Sequence, residues 1–101
     1  MKLWIDDVRI APFGTEWAWA RSTHEAMLLI AKAEFMEDPF ELIDIDHDAG
    51  EYVKNGGDYI NLLNWLEKTG RNYPIHIHSM NPVGVQNMRA IIEKNGWREI
   101  R

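Results

Sequence analysis

A chain of 101 residues is enough for one domain, spanning residues 1–101, with a single core of four or five strands and three helices. Its 46% hydrophobic and 27% charged residues fit a globular protein, and its net charge of −5 gives no general attraction to duplex DNA or an anionic membrane. The lack of cysteine excludes disulfides, thiolate metal sites and cysteine nucleophiles. No apolar run reaches membrane-spanning length and no signal-peptide pattern opens the chain, so the expected location is cytoplasmic.

In chain order, Leu3, Trp4 and Ile5 form a short apolar run, read as a buried strand over residues 2–5 that ends in Asp6-Asp7. Residues 8–15 contain Pro12 and Gly14 and lack helical periodicity, which reads as loop. Residues 16–20 alternate Trp17 and Trp19 with small residues and suggest a second strand. Ser22 and Glu25 make a capping box, followed at helical spacing by Ala26, Leu29, Ile30 and Ala33. That helix is expected to stop near Met36, because Asp38-Pro39 cannot continue it.

Residues 40–46 form the third expected strand, centred on Leu42, Ile43 and Ile45. A polar loop with three glycines follows over residues 47–57. Asp58 is the expected cap of the next helix, whose stripe is Ile60, Leu63 and Leu66, with Trp65 beside it and Gly70 ending it. Residues 74–78 read as a fourth strand. Asn81-Pro82 is an N-cap followed by proline, opening a helix with Val85, Met88, Ile91 and Ile92 inward. Asn95-Gly96 stops it, and residues 97–100 leave room for a last strand. Strands alternating with helices imply right-handed crossovers and a mainly parallel sheet. Ligands bind such sheets outside the carboxyl ends of the strands.

Three loops at that edge carry chemistry. Asp6-Asp7 is either a solvated turn or a site for a hard divalent cation. Asp46-His47-Asp48 is either an acidic loop or a source of metal ligands, a nucleophile or a general base. Asp44, sharing strand parity with Asp46, needs a partner or a raised pKa. His76 and His78 share a face of their strand; His76 reads first as a hydrogen-bonded structural histidine, His78 as a functional one. Ser79 and the free N–H groups of the following helix are ordinary means of holding phosphate. Arg9 and Arg21 flank the first loop, as surface charges or as phosphate contacts.

The segment Leu3-Trp4-Ile5-Asp6-Asp7 resembles the first strand and acidic pair of response-regulator receiver domains. Residues 41–46 resemble their third strand, which ends in a phospho-accepting aspartate, and Ser79 falls where receivers carry threonine or serine. The first receiver helix is reduced to the 8–15 loop, the last is absent, and the fifth-strand lysine has no counterpart in residues 97–101. The chain is more similar to the cyclic-phosphate processing receiver-like domains. These carry a strand-DD start, an L/I-D-H-D loop and an H-x-H-S-x-N-P segment, here Asp6-Asp7, residues 45–48 and residues 76–82.

The resemblance implies a three-layer α/β fold: a mainly parallel five-stranded sheet in a minimal receiver-like, flavodoxin-like domain without the first and last helices. It also implies a metal-assisted phosphoesterase acting on a nucleotide or RNA end that bears a cyclic phosphate. Asp6, Asp7, Asp46 and Asp48 would hold a divalent cation, Mg²⁺ or Mn²⁺. His78 would be general acid or base, with His47 as second choice and Asp46 as an alternative nucleophile. Ser79, Asn81, Arg9 and His76, with backbone N–H groups at Val83 and Gly84, would meet the substrate. The competing expectation is a non-catalytic receiver-like module that senses a nucleotide or docks a partner protein.

Overall fold

The computed structural model describes residues 1–14 and 16–101; Thr15, the end of the expected 8–15 loop, lies outside the described residues. Five strands form one sheet: β1 (Lys2–Ile5), β2 (Trp17–Ala20), β3 (Leu42–Ile45), β4 (Ile75–Ile77) and β5 (Glu99–Ile100). The helices are α1 (Thr23–Phe35), α2 (Ile60–Lys68) and α3 (Pro82–Asn95). The strand order is β2-β1-β3-β4-β5, and every neighbouring pair is parallel. This is the receiver-like arrangement expected from the sequence.

The chain ends of the helices follow local chemistry. Ser22 Oγ accepts from the Glu25 N–H at 3.0 Å, while Glu25 reaches back to the N–H of Arg21 at 2.7 Å, one residue before the cap. Asn81 caps α3 by accepting from the Gly84 N–H at 3.0 Å, with Pro82 at the first helical position. Gly96 then ends α3 in the left-handed conformation at φ 66°, where a side chain is strained. Two expectations need correction. Asp58 does not cap α2; its Oδ1 accepts instead from the Ala49 N–H at 2.9 Å, which folds the preceding loop back on itself. That loop is also not wholly irregular, because Gly50–Lys54 forms a 3₁₀ turn.

The core follows strand parity. Leu3, Ile5, Ile43, Ile45 and Ile75 point to one face and are fully buried against Ala26, Ile30, Leu62, Leu63, Leu66, Met88 and Ile92. The connections β2–α1–β3, β3–α2–β4 and β4–α3–β5 all step the same way across the sheet. Right-handed crossovers therefore lay all three helices on one face, and α2 touches both α1 and α3. The expected three layers reduce to two. Among the described residues the other face carries no helix, because the first and last receiver helices are the ones lacking. That face presents Trp4, Trp17, Trp19, Asp44 and His76, and Trp4 is buried there at 7% exposure without joining the core cluster. Among the described residues no helix is long and apolar enough to cross a membrane.

Leu63 is fully buried between helix and sheet. Leu63→Ala is expected to lower stability by about 2–5 kcal/mol, read from the urea midpoint; an unchanged midpoint would contradict this packing.

Candidate active site

Backbone pairing runs one residue beyond β1, β3 and β4. The N–H of Asp6 donates to Ala20, that of Asp46 to Ile5 and that of His78 to Ile45, at 3.2, 3.0 and 3.0 Å. Three residues from distant parts of the chain are thereby aligned side by side at the carboxyl edge. Ligand-type atoms of Asp6, Asp46 and His78 lie within 4.8 Å of one another.

Asp6 is fully buried and fully used. Its Oδ1 accepts from the N–H groups of Val8 at 3.0 Å and Arg9 at 2.8 Å. Its Oδ2 faces Arg9 Nε at 3.1 Å and His78 Nε2 at 3.0 Å. Four partners match the acceptor capacity of one carboxylate. Burial by itself would raise the Asp6 pKa. The Arg9 and Val8 N–H groups, His78 and the Arg9 charge outweigh it and hold the carboxyl below its ordinary 3.8.

His78 is clamped from three sides. Its Nδ1 lies 2.6 Å from Asp44 Oδ1, its Nε2 faces Asp6, and its ring stacks parallel on Trp4 with centroids 3.9 Å apart. Asp44 Oδ1 also faces His76 Nδ1 at 2.8 Å, so this strand carboxylate has two imidazole partners, as its buried position requires. Arg9 closes the cluster, with Nη2 at 3.2 Å from Asp46 Oδ2 and 3.3 Å from the His78 carbonyl.

Asp7 and Asp46 are differently placed. Asp46 accepts once on each oxygen, from the His47 N–H at 2.7 Å and from Arg9, and so keeps lone pairs free. No described side chain donates to Asp7. Its pKa is raised, first by burial and then by the negative charges of Asp6 and Asp46. Asp7 Oδ2 lies hard against Gly50, where any Cβ would collide with it and where φ is +55°. Asp7 and Asp46 thus keep spare hard oxygen acceptors, the donor type that suits a divalent cation, and Asp46 belongs to a group that could hold one.

A second group lies on the helix side of the edge. His47 Nδ1 is 3.1 Å from Asp48 Oδ1, its ring covers Gly84, and no described group meets its Nε2. The Asn81 amide approaches both Asp48 oxygens at 3.4 Å. His47, Asp48 and Asp58 form a second set of ligand-type atoms within 4.8 Å.

The structure thus gathers Asp6, Asp46, His78, Arg9 and His76 around one cluster and His47, Asp48 and Asn81 around another, with Asp7 turned toward Gly50. Ser79 Oγ accepts from the Asn81 N–H at 3.1 Å, and the Gly84 N–H goes to the Asn81 side chain. Arg9, expected to meet substrate, is paired with Asp6 and Asp46. Sequence reasoning missed Trp4, whose only signal was an even position in β1, the parity shared by Asp6.

A carboxyl whose folded pKa is depressed stabilises the protein fully above its unfolded value, and that contribution is lost as pH falls through the folded one. The stability difference between wild type and Asp6→Asn is expected to stay constant from about pH 5 to 7 and to shrink below about pH 4, read from urea midpoints. A difference that grows on acidification would contradict the Asp6 network.

Residues 1–94 match the family described as Cyclic-phosphate processing Receiver domain. No curated protein and no solved structure gives a match. The match takes in every element except Asn95 at the end of α3 and the whole of β5, and it includes both carboxylate–imidazole clusters. The chain belongs to the cyclic-phosphate processing receiver domains.

Proposed function

We propose that this domain is a metal-assisted phosphoesterase that opens a cyclic phosphate on a nucleotide or an RNA end. The observation that carries the reading is the division of labour among the carboxylates. Asp6 is occupied by His78, Arg9 and backbone, while Asp7 and Asp46 retain oxygens at the same edge. Asp7 and Asp46 would hold the cation. When bound, it supplies positive charge at the phosphoryl oxygens.

The protein groups supply the proton transfers. Asp48 fixes the Nδ1 side of His47, which leaves Nε2 to take a proton from the attacking water. As the water oxygen bonds to phosphorus, one ribose P–O bond breaks. The departing ribose oxygen would take a proton from His78, the imidazole at the same edge that lies between Asp44 and Asp6. The product is a phosphomonoester. Ser79 and the start of α3 stand beside the same edge and favour the phosphate's negative charge. Asp48 then serves His47 rather than the cation.

A second reading, a receiver-like module that binds a nucleotide without turning it over, is favoured by one feature: Arg9 already neutralises part of the Asp6–Asp46 charge. Turnover separates the two. With Mg²⁺ or Mn²⁺, the wild type is expected to hydrolyse a nucleoside 2′,3′-cyclic phosphate, and Asp46→Ala or His47→Ala to lower kcat/KM by about 100-fold. Saturable binding without product would establish the second reading. Full activity in both variants would reject these roles.

A further inference from the structure

Beside Asp7 a cavity of about 550 Å³ opens between the ends of β1 and β2 and the 3₁₀ turn, lined by Asp7, Val8, Arg21, Gly50, Glu51 and Tyr52. That volume suits a nucleotide. Its cation is Arg21, an exposed residue whose backbone is anchored on both sides. The Arg21 N–H donates to Glu25 at 2.7 Å, and its carbonyl accepts from the buried Tyr59 hydroxyl at 2.6 Å. The guanidinium lies 4.3 Å from the Trp19 ring centroid, with Nη1 3.5 Å from the Tyr52 hydroxyl.

Arg9, Arg71, Arg89 and Arg101 each pair with a carboxylate. Among the described residues Arg21 and Arg98 have no such partner, and of the two it is Arg21 that lines the cavity, together with Asp7 and Glu51. A guanidinium held by an aromatic face and a phenol keeps its charge and most of its donors for something else. In a chain of net charge −5, an unpaired arginine facing a nucleotide-sized cavity is matched to an anion.

We propose that this cavity is the nucleotide pocket, in which Arg21 and the Tyr52 hydroxyl donate to the non-bridging phosphate oxygens. The proposal names the substrate subsite of the phosphoesterase reading and rests on it only for the nature of the ligand. The pocket adjoins Asp7, so a cation shared with Asp46 and the Arg21 guanidinium would both counter the phosphate charge.

The test is calorimetry in MgCl₂ with two probes, adenosine 2′,3′-cyclic monophosphate and inorganic phosphate, run alongside a hydrolysis assay. Arg21→Ala is expected to weaken nucleotide binding at least ~10-fold, and Arg21→Lys to restore part of it, the size of one charge-assisted contact. Tyr52→Phe, which keeps the ring, is expected to weaken it about 3-fold. Phosphate alone should bind more weakly than the nucleotide but with the same dependence on Arg21. Arg98→Ala, outside the cavity, should bind like the wild type. Arg21→Ala and Tyr52→Phe both binding within about twofold of wild type would overturn the pocket, as would a wild type that binds neither probe. Arg21-dependent binding without hydrolysis would keep the pocket and remove the phosphoesterase. Hydrolysis with unchanged kcat/KM in Arg21→Ala would do the reverse.

Discussion

The site is organised by one imidazole held between two buried carboxylates. His78 faces Asp44 on one side and Asp6 on the other, and Trp4 lies flat against its ring. Each carboxylate alone would be costly in this position, since Asp6 is wholly buried and Asp44 is 6% exposed. Together with Arg9 and His76 they form a network without an orphaned polar atom among the described side chains. Such networks are demanding. Removing one member leaves the others desolvated and unpaired. The network also ties β1, β3 and β4 together at their carboxyl ends, where backbone pairing is running out.

The chemistry left over follows from what that network occupies. With Asp6 used for structure, the adjacent Asp7 is the carboxylate of the pair left under the negative charges of Asp6 and Asp46, and the proposed cation would sit beside it. Adjacent residues at a strand end point to opposite sides, so one aspartate joins the network and the other faces the helix side. The same alternation separates Asp46 from His47. A two-layer fold accommodates this because its helix-free face is closed by large side chains. Trp4, His76 and His78 cover Asp44 where receivers have a helix.

Much of the fold was legible in local sequence. The Ser22–Glu25 box, Asn81-Pro82 and Gly96 mark helix ends by backbone chemistry that needs no tertiary contact. The α2 start was not legible, because Asp58 is drawn away to the Ala49 N–H, a choice made by the folded loop. The layer count depends on strand order, which decides where every crossover falls. In the site, the three acidic and histidine loops were readable because all follow strands of a parallel sheet. Asp44 announced itself as a strand carboxylate in need of partners. Arg9 was readable as a cation near the site but not as the bridge between Asp6 and Asp46. Nothing in the spacing of Arg21 and Tyr52, thirty-one residues apart, indicated that they meet.

The most direct test of this division of carboxylates is a Mn²⁺ titration of isotope-labelled protein followed by amide resonances. The account predicts that paramagnetic broadening begins at Asp7, Asp46 and Gly50, and that Asp7→Asn removes it while the rest of the spectrum is preserved. Broadening centred on Asp48 and Asp58, or none that depends on Asp7, would contradict it.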